Sequence, residues 1–144
     1  MITWVNAYIL GPWIAPLVNG RSTQFFQATR GLRQGCPLSP LLYAIQASVL
    51  SFQLEEGLRQ SALRGLNITP RVKNINHAQF ADDTLLLGIA NTCTALKFKK
   101  ELDAYSEVSG SEISLRKSRI YGWTCSPRKM LEISRALNIE GTTT

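Results

Sequence analysis

The residue pattern predicts an α+β fold, a largely antiparallel sheet with helices packed on it. Three observations carry that expectation. Apolar residues recur at helical spacing over about 40–56 and 92–108. Asn19-Gly20 separates two strand-like segments, Ala15–Val18 and Ser22–Phe26, and Asn-Gly is the strongest two-residue hairpin signal. A second pair of strand-like runs, Val72–Ala81 and Leu85–Ala90, meets at Asp82-Asp83.

Each element follows from local chemistry. A short helix over residues 2–10 stops at Gly11-Pro12. After the Asn19-Gly20 hairpin, Ser39 and Pro40 have the residue types of an N-cap and a first helical position. The helix they open places Leu41, Ile45, Val49 and Phe52 on one stripe, widened by Leu42 and Leu50, and Gly57 follows as its stop. An Arg-punctuated loop, roughly 57–70, leads to the Asp82-Asp83 hairpin. The helix over 92–108 sets Leu96, Lys99, Leu102, Tyr105 and Val108 near one face, leaves its lysines on a solvated face, and ends at Gly110. A strand near 118–123 and a helix from Ser126-Pro127 to Leu137 complete the order ββ-α-ββ-α-β-α.

With 144 residues, the chain is one domain's worth of sequence. Its net charge of +6 suits a polyanionic partner without requiring one. Cys36, Cys93 and Cys125 are odd in number and widely spaced, with His77 the single histidine, which supports neither a disulfide framework nor a zinc site. Neither a signal peptide nor a run long enough to span a membrane is read, and an intracellular protein of no particular compartment is expected.

Two motifs carry chemistry. Asp82 and Asp83 offer a pair of carboxylates at a hairpin tip, and hard cations such as Mg²⁺ bind through one or two carboxylates plus substrate phosphates. Adjacent acids at a turn are also an ordinary solvated feature, because Asp favours turns and resists burial. Upstream, Arg30-Gly31-Leu32-Arg33-Gln34-Gly35-Cys36-Pro37-Leu38-Ser39-Pro40 places basic residues and a glycine before a helix start. Such a start favours negative charge, although a well-capped core helix after a Gly/Pro loop looks the same.

Gln-Gly-Cys-Pro-Leu-Ser-Pro (34–40) followed by Phe-Ala-Asp-Asp (80–83) resembles the palm of a reverse transcriptase, specifically of the non-LTR (LINE-type) retrotransposon class. Ser109-Gly110-Ser111-Glu112-Ile113-Ser114-Leu115-Arg116-Lys117-Ser118 is similar to a third family motif, in the family's order and spacing. The whole chain, residues 1–144, is covered as a partial palm domain.

That resemblance implies two-metal nucleotidyl transfer with Mg²⁺, or Mn²⁺, in the full-length enzyme, where the primer 3′-hydroxyl attacks the α-phosphate of a deoxynucleotide opposite an RNA template. Asp82 would be the principal metal ligand and Asp83 a supporting one. Lys117 would stand near the triphosphate, able to neutralise or protonate pyrophosphate. Gln34, Gly35, Arg30 and Phe80 would lie against nucleotide or template. Ser114 stands where the family usually has Asn, and Ser111 where an apolar residue is common. The resemblance implies no membrane partner.

The family's palm also has an aspartate on an earlier strand, whereas Glu55 and Glu56 are the only acids before Asp82. The expectation is therefore an incomplete palm lacking its first catalytic strand, fingers and thumb, inactive and marginally stable by itself. The alternative expectation is a non-catalytic retroelement remnant whose basic surface binds nucleic acid.

Overall fold

The computed structural model describes residues 2–29, 31, 35–72 and 74–143, except for the side chains of Ala7 and Tyr8. Two compact units appear, Met1–Ile45 and Gln46–Thr144. The first holds α1 (Ile2–Ile9), β1 (Trp13–Ile14), β2 (Leu17–Val18), β3 (Arg21–Ser22), β4 (Phe26–Gln27) and the start of α2 (Leu38–Arg59). The second holds the rest of α2, then β5 (His77–Phe80), β6 (Asp83–Leu86), α3 (Thr92–Ser109), β7 (Ile120–Gly122), α4 (Pro127–Leu137) and β8 (Gly141–Thr143).

The α+β class is what the structure shows. Among the described residues the strands pair as four two-stranded ladders, three antiparallel and one parallel, in place of one continuous sheet. Strands of two to four residues find their partners close by in sequence, so the pairing stays local.

In the first unit the Asn-Gly reading holds. Leu17 and Val18 pair with Ser22 and Arg21, and both turn residues adopt positive φ, Asn19 at 50° and Gly20 at 75°, as a type I′ hairpin requires. Trp13 and Ile14 pair with Gln27 and Phe26 in a separate ladder.

Helix α2 differs from its reading in three respects. It begins at Leu38, so Ser39 and Pro40 lie in its first turn, and Ser39 is not the cap. The chain has already turned at Cys36, whose Sγ accepts from the Leu38 N–H at 3.3 Å and whose carbonyl accepts from Ser39 at 3.1 Å. Gly57 does not stop the helix, which runs on to Arg59. A Cβ at this buried glycine would lie 2.8 Å from Leu63 Cδ1, so close packing of the following loop is what needs glycine there. Finally, the stripe Leu41, Ile45, Val49 and Phe52 is exposed, and Leu50, Leu54 and Gly57 are buried instead. The helix is apolar on two sides, and periodicity alone does not say which side the core takes.

The second unit has its core where α2 meets α3. Leu50, Leu54, Leu63 and Phe98 are buried together, with Leu58, Leu86, Leu102 and Tyr105 packed against them. On α3 the buried face is Ala95 and Phe98, flanked by Leu102 and Tyr105; Leu96 and Val108, expected on that face, are exposed. The ends match the local signals. Asn91 caps the start, accepting from the Thr94 N–H at 2.7 Å. Gly110, at φ 69°, closes the end with its N–H on the Ser106 carbonyl at 2.9 Å.

Ser126 caps α4, Pro127 opens it, and Asn138 ends it at φ 55°. Of its buried residues, Met130 and Ile133, Met130 lies against Gly122 of β7 and Gly141 of β8. β8 was not read from sequence: Gly141–Thr143 runs parallel to Ile120–Gly122 after the α4 crossover.

Two substitutions test this packing. Leu54→Ala empties a fully buried site and is expected to cost about 2–5 kcal/mol in denaturant unfolding. A Cβ at Gly65 would lie 2.5 Å from the Asn74 backbone carbon, so Gly65→Ala is expected to lower the unfolding midpoint by an amount corresponding to about 1–3 kcal/mol.

Candidate active site

Antiparallel pairing of β5 with β6 sets His77 opposite Leu86, Ala78 opposite Leu85, Gln79 opposite Thr84 and Phe80 opposite Asp83. Ala81 and Asp82 are thus the two turn residues. Ala81 has φ 50°, in the left-handed region that a side-chain-bearing residue adopts only at a cost. Asp82 sits in the turn itself and Asp83 is the first residue of β6, so the strand starts two residues earlier than the Leu85 of the sequence reading. Both carboxylates are exposed, with no ion pair among the described residues.

Strand alternation sorts the side chains onto two faces. His77 and Gln79 turn towards α2, while Ala78, Phe80 and Asp83 turn outward. Phe80, expected to lie against nucleotide or template, is 84% exposed beside the two carboxylates.

Hydrogen bonds fix the inward face to α2. Ser51 Oγ donates to Gln79 Oε1 at 2.7 Å and lies 3.1 Å from His77 Nε2. The other ring nitrogen, Nδ1, is 2.7 Å from Asn76 Oδ1. Asn76 is only 2% exposed; its side-chain amide donates to the Leu54 carbonyl at 2.8 Å, and its own carbonyl accepts from the Leu87 N–H at 2.8 Å. One buried amide therefore ties helix and hairpin together. His77 is thereby held between Asn76 and Ser51. Asn76 had not been singled out, and its one signal was a polar amide at the entry to a strand-like run.

The remaining expected site residues are distributed as follows. Lys117 is exposed in the tight turn after α3, where the Ser114 carbonyl accepts from Lys117 N at 3.1 Å and from Ser118 N at 3.0 Å. Ser111 Oγ accepts from Gln46 Nε2 at 2.7 Å, which gives that polar departure from the motif a bond to α2. Gly35 belongs to the first unit, exposed at φ 80°. Arg30 and Gln34 lie outside the described residues. Phe80, Asp82 and Asp83 are the three that one hairpin brings together.

A metal is tested against this donor set. Two adjacent exposed carboxylates supply oxygen only, which fits a hard divalent cation and disfavours a soft one. Among the described residues no three or more His, Cys, Asp or Glu side chains gather as a metal-binding group. None of the three cysteines is in a disulfide; Cys36 is buried, Cys93 exposed and Cys125 between.

Residues 1–132 match the family model described as reverse transcriptase (RNA-dependent DNA polymerase). The chain belongs to the reverse transcriptase family. An uncharacterized mitochondrial protein of Arabidopsis thaliana is 40% identical to it over 68 residues, 47% of this chain and 56% of that protein. The match thus spans little more than half of the relative's length. Reverse transcriptase domains generally use divalent metal ions, consistent with the oxygen donors at this hairpin tip. No described helix is long and apolar enough to cross a membrane.

The anchoring of the hairpin is directly testable. Asn76→Ala leaves the Leu54 carbonyl and His77 Nδ1 without that partner. Urea unfolding of the variant is expected to show a loss of about 2–3 kcal/mol.

Proposed function

We propose that residues 1–144 are a palm domain segment of a reverse transcriptase of the non-LTR, LINE type, which extends a DNA primer with deoxynucleotides on an RNA template. The observation that carries this reading is the β5–β6 tip, where Asp82 and Asp83 are both exposed within the stretch matching the family. Asp82, free of strand pairing, is the principal metal ligand and Asp83 the supporting one. Held by these two carboxylates, Mg²⁺, or Mn²⁺ in its place, would supply positive charge against the triphosphate and favour attack by the primer hydroxyl.

The chain's own residues do the positioning. Phe80 offers an apolar surface beside the carboxylates for a base or sugar. Lys117 places an ammonium where it can hold pyrophosphate charge and supply a proton. Gly35 lets backbone approach the nucleotide closely, and Arg30 and Gln34 contact phosphate or template. A two-metal centre uses more carboxylate ligation than this tip provides, so we assign the remaining acid to a segment outside residues 1–144 and take this chain alone to be inactive.

In the longer natural reading frame carrying this segment, Asp82→Asn is expected to lower Mg²⁺-dependent primer extension on RNA by on the order of a hundredfold or more. Glu55→Gln, at an exposed helical position, is expected to leave extension unchanged. Residues 1–144 alone are expected to extend no primer. Extension by that chain, abolished by Asp82→Asn, would overturn the need for a further acid.

A further inference from the structure

We propose that the outer face of β7, with the basic stretch around it, is a stacking platform for single-stranded nucleic acid. This goes beyond the polymerase reading and holds whether or not the chain polymerises.

Charge comes first. From Ile113 to Leu131 the sequence has five basic residues, Arg116, Lys117, Arg119, Arg128 and Lys129, and no Asp or Glu. Within that stretch stand two aromatics open to solvent, Tyr121 at 73% and Trp123 at 84% exposure.

The fold explains why they are outside. Gly122 is buried, and a Cβ there would strike Met130 Cε; a Cβ at Gly141 on β8 would strike Ser134 Oγ. Both strands are therefore pressed against α4, and alternation along β7 sends Tyr121 to the opposite face. Arg119, also exposed, directly precedes β7.

The cation is also held in place. Arg119 Nη1 donates to the carbonyls of Arg116 at 2.9 Å and Ser118 at 2.8 Å. At the start of β7 a cleft of about 360 Å³ is lined by Leu115, Arg116, Arg119, Asn138 and Glu140. Glu140, the one acid lining it, lies 3.5 Å from Arg119 Nη2 and offsets part of that charge. Arg116 and Lys117 remain for phosphates.

Exposed aromatics flanked by cations are the chemistry that binds unpaired bases. Stacking on a ring face tolerates any base, and basic side chains hold the backbone. A duplex hides its base faces, so single strands should be preferred. Basic charge without stacking would not discriminate in that way.

The test uses the whole 144-residue chain in EDTA with no nucleotide, so its outcome is independent of polymerisation. Trp4→Phe with Trp13→Phe leaves Trp123 as the sole tryptophan. A short oligothymidylate is expected to quench its emission saturably, and a duplex of the same length much less. By anisotropy in the native background, Tyr121→Ala and Trp123→Ala are each expected to weaken single-strand binding about tenfold. Trp123→Phe should restore most of the affinity, and circular dichroism should remain unchanged in these exposed-site variants. Absence of saturable quenching, equal quenching by duplex, or unchanged affinity in the double alanine variant would overturn the proposal. A protein-docking role for the aromatics would produce the first of those results.

Discussion

The buried side chain of Asn76 is the constraint on which the β5–β6 hairpin depends. An amide taken out of water must find partners or lose stability. Here its donor is used by the Leu54 carbonyl on α2, and its oxygen faces His77. Because Leu54 is itself fully buried, that bond lies inside the core. His77 and Gln79 continue the attachment through Ser51. The carboxylates of Asp82 and Asp83 therefore stand at the end of a short ladder whose base is anchored, although their own turn makes no ion pair among the described residues.

Alternation then divides the hairpin's labour. The same strand whose inward residues bond to α2 turns Phe80 outward, next to Asp83 in register. A large apolar ring held in water beside two carboxylates is poor for stability; in the proposed function it faces a base or sugar. The outward stripe of α2, Leu41, Ile45, Val49 and Phe52, is apolar surface of a similar kind. Such surface commonly marks interaction sites when it is contiguous.

The C-terminal part of the second unit is organised differently. A parallel pair needs a crossover, and α4 supplies it between β7 and β8. Glycines at 122 and 141 let both strands lie directly on Met130, which commits one face of the pair and leaves Tyr121 on the other. Of the basic residues around β7, Arg119 is offset in part by Glu140 and Arg128 by Glu132, whereas no ion pair is formed by Arg116 or Lys117 among the described residues.

Sequence by itself determined the features that involve neighbours within a few residues. Asn19-Gly20 specified its hairpin, Asn91 and Gly110 the ends of α3, and Ser126-Pro127 the start of α4, because each acts on backbone groups within about one turn. It also determined the family, since Phe-Ala-Asp-Asp and Gln-Gly-Cys-Pro-Leu-Ser-Pro are linear strings of residues. Tertiary structure decided what depends on distant partners. Helix α2 offers two apolar sides, and only packing against Leu63 and Phe98 chose the side bearing Leu50 and Leu54. The same packing turned α3 to bury Ala95 and Phe98 and exposed Leu96. The role of Asn76, the length of α2 beyond Gly57 and the pairing of β8 with β7 likewise required three dimensions. Periodicity records that a face is apolar, whereas burial is settled by which other surface arrives to cover it.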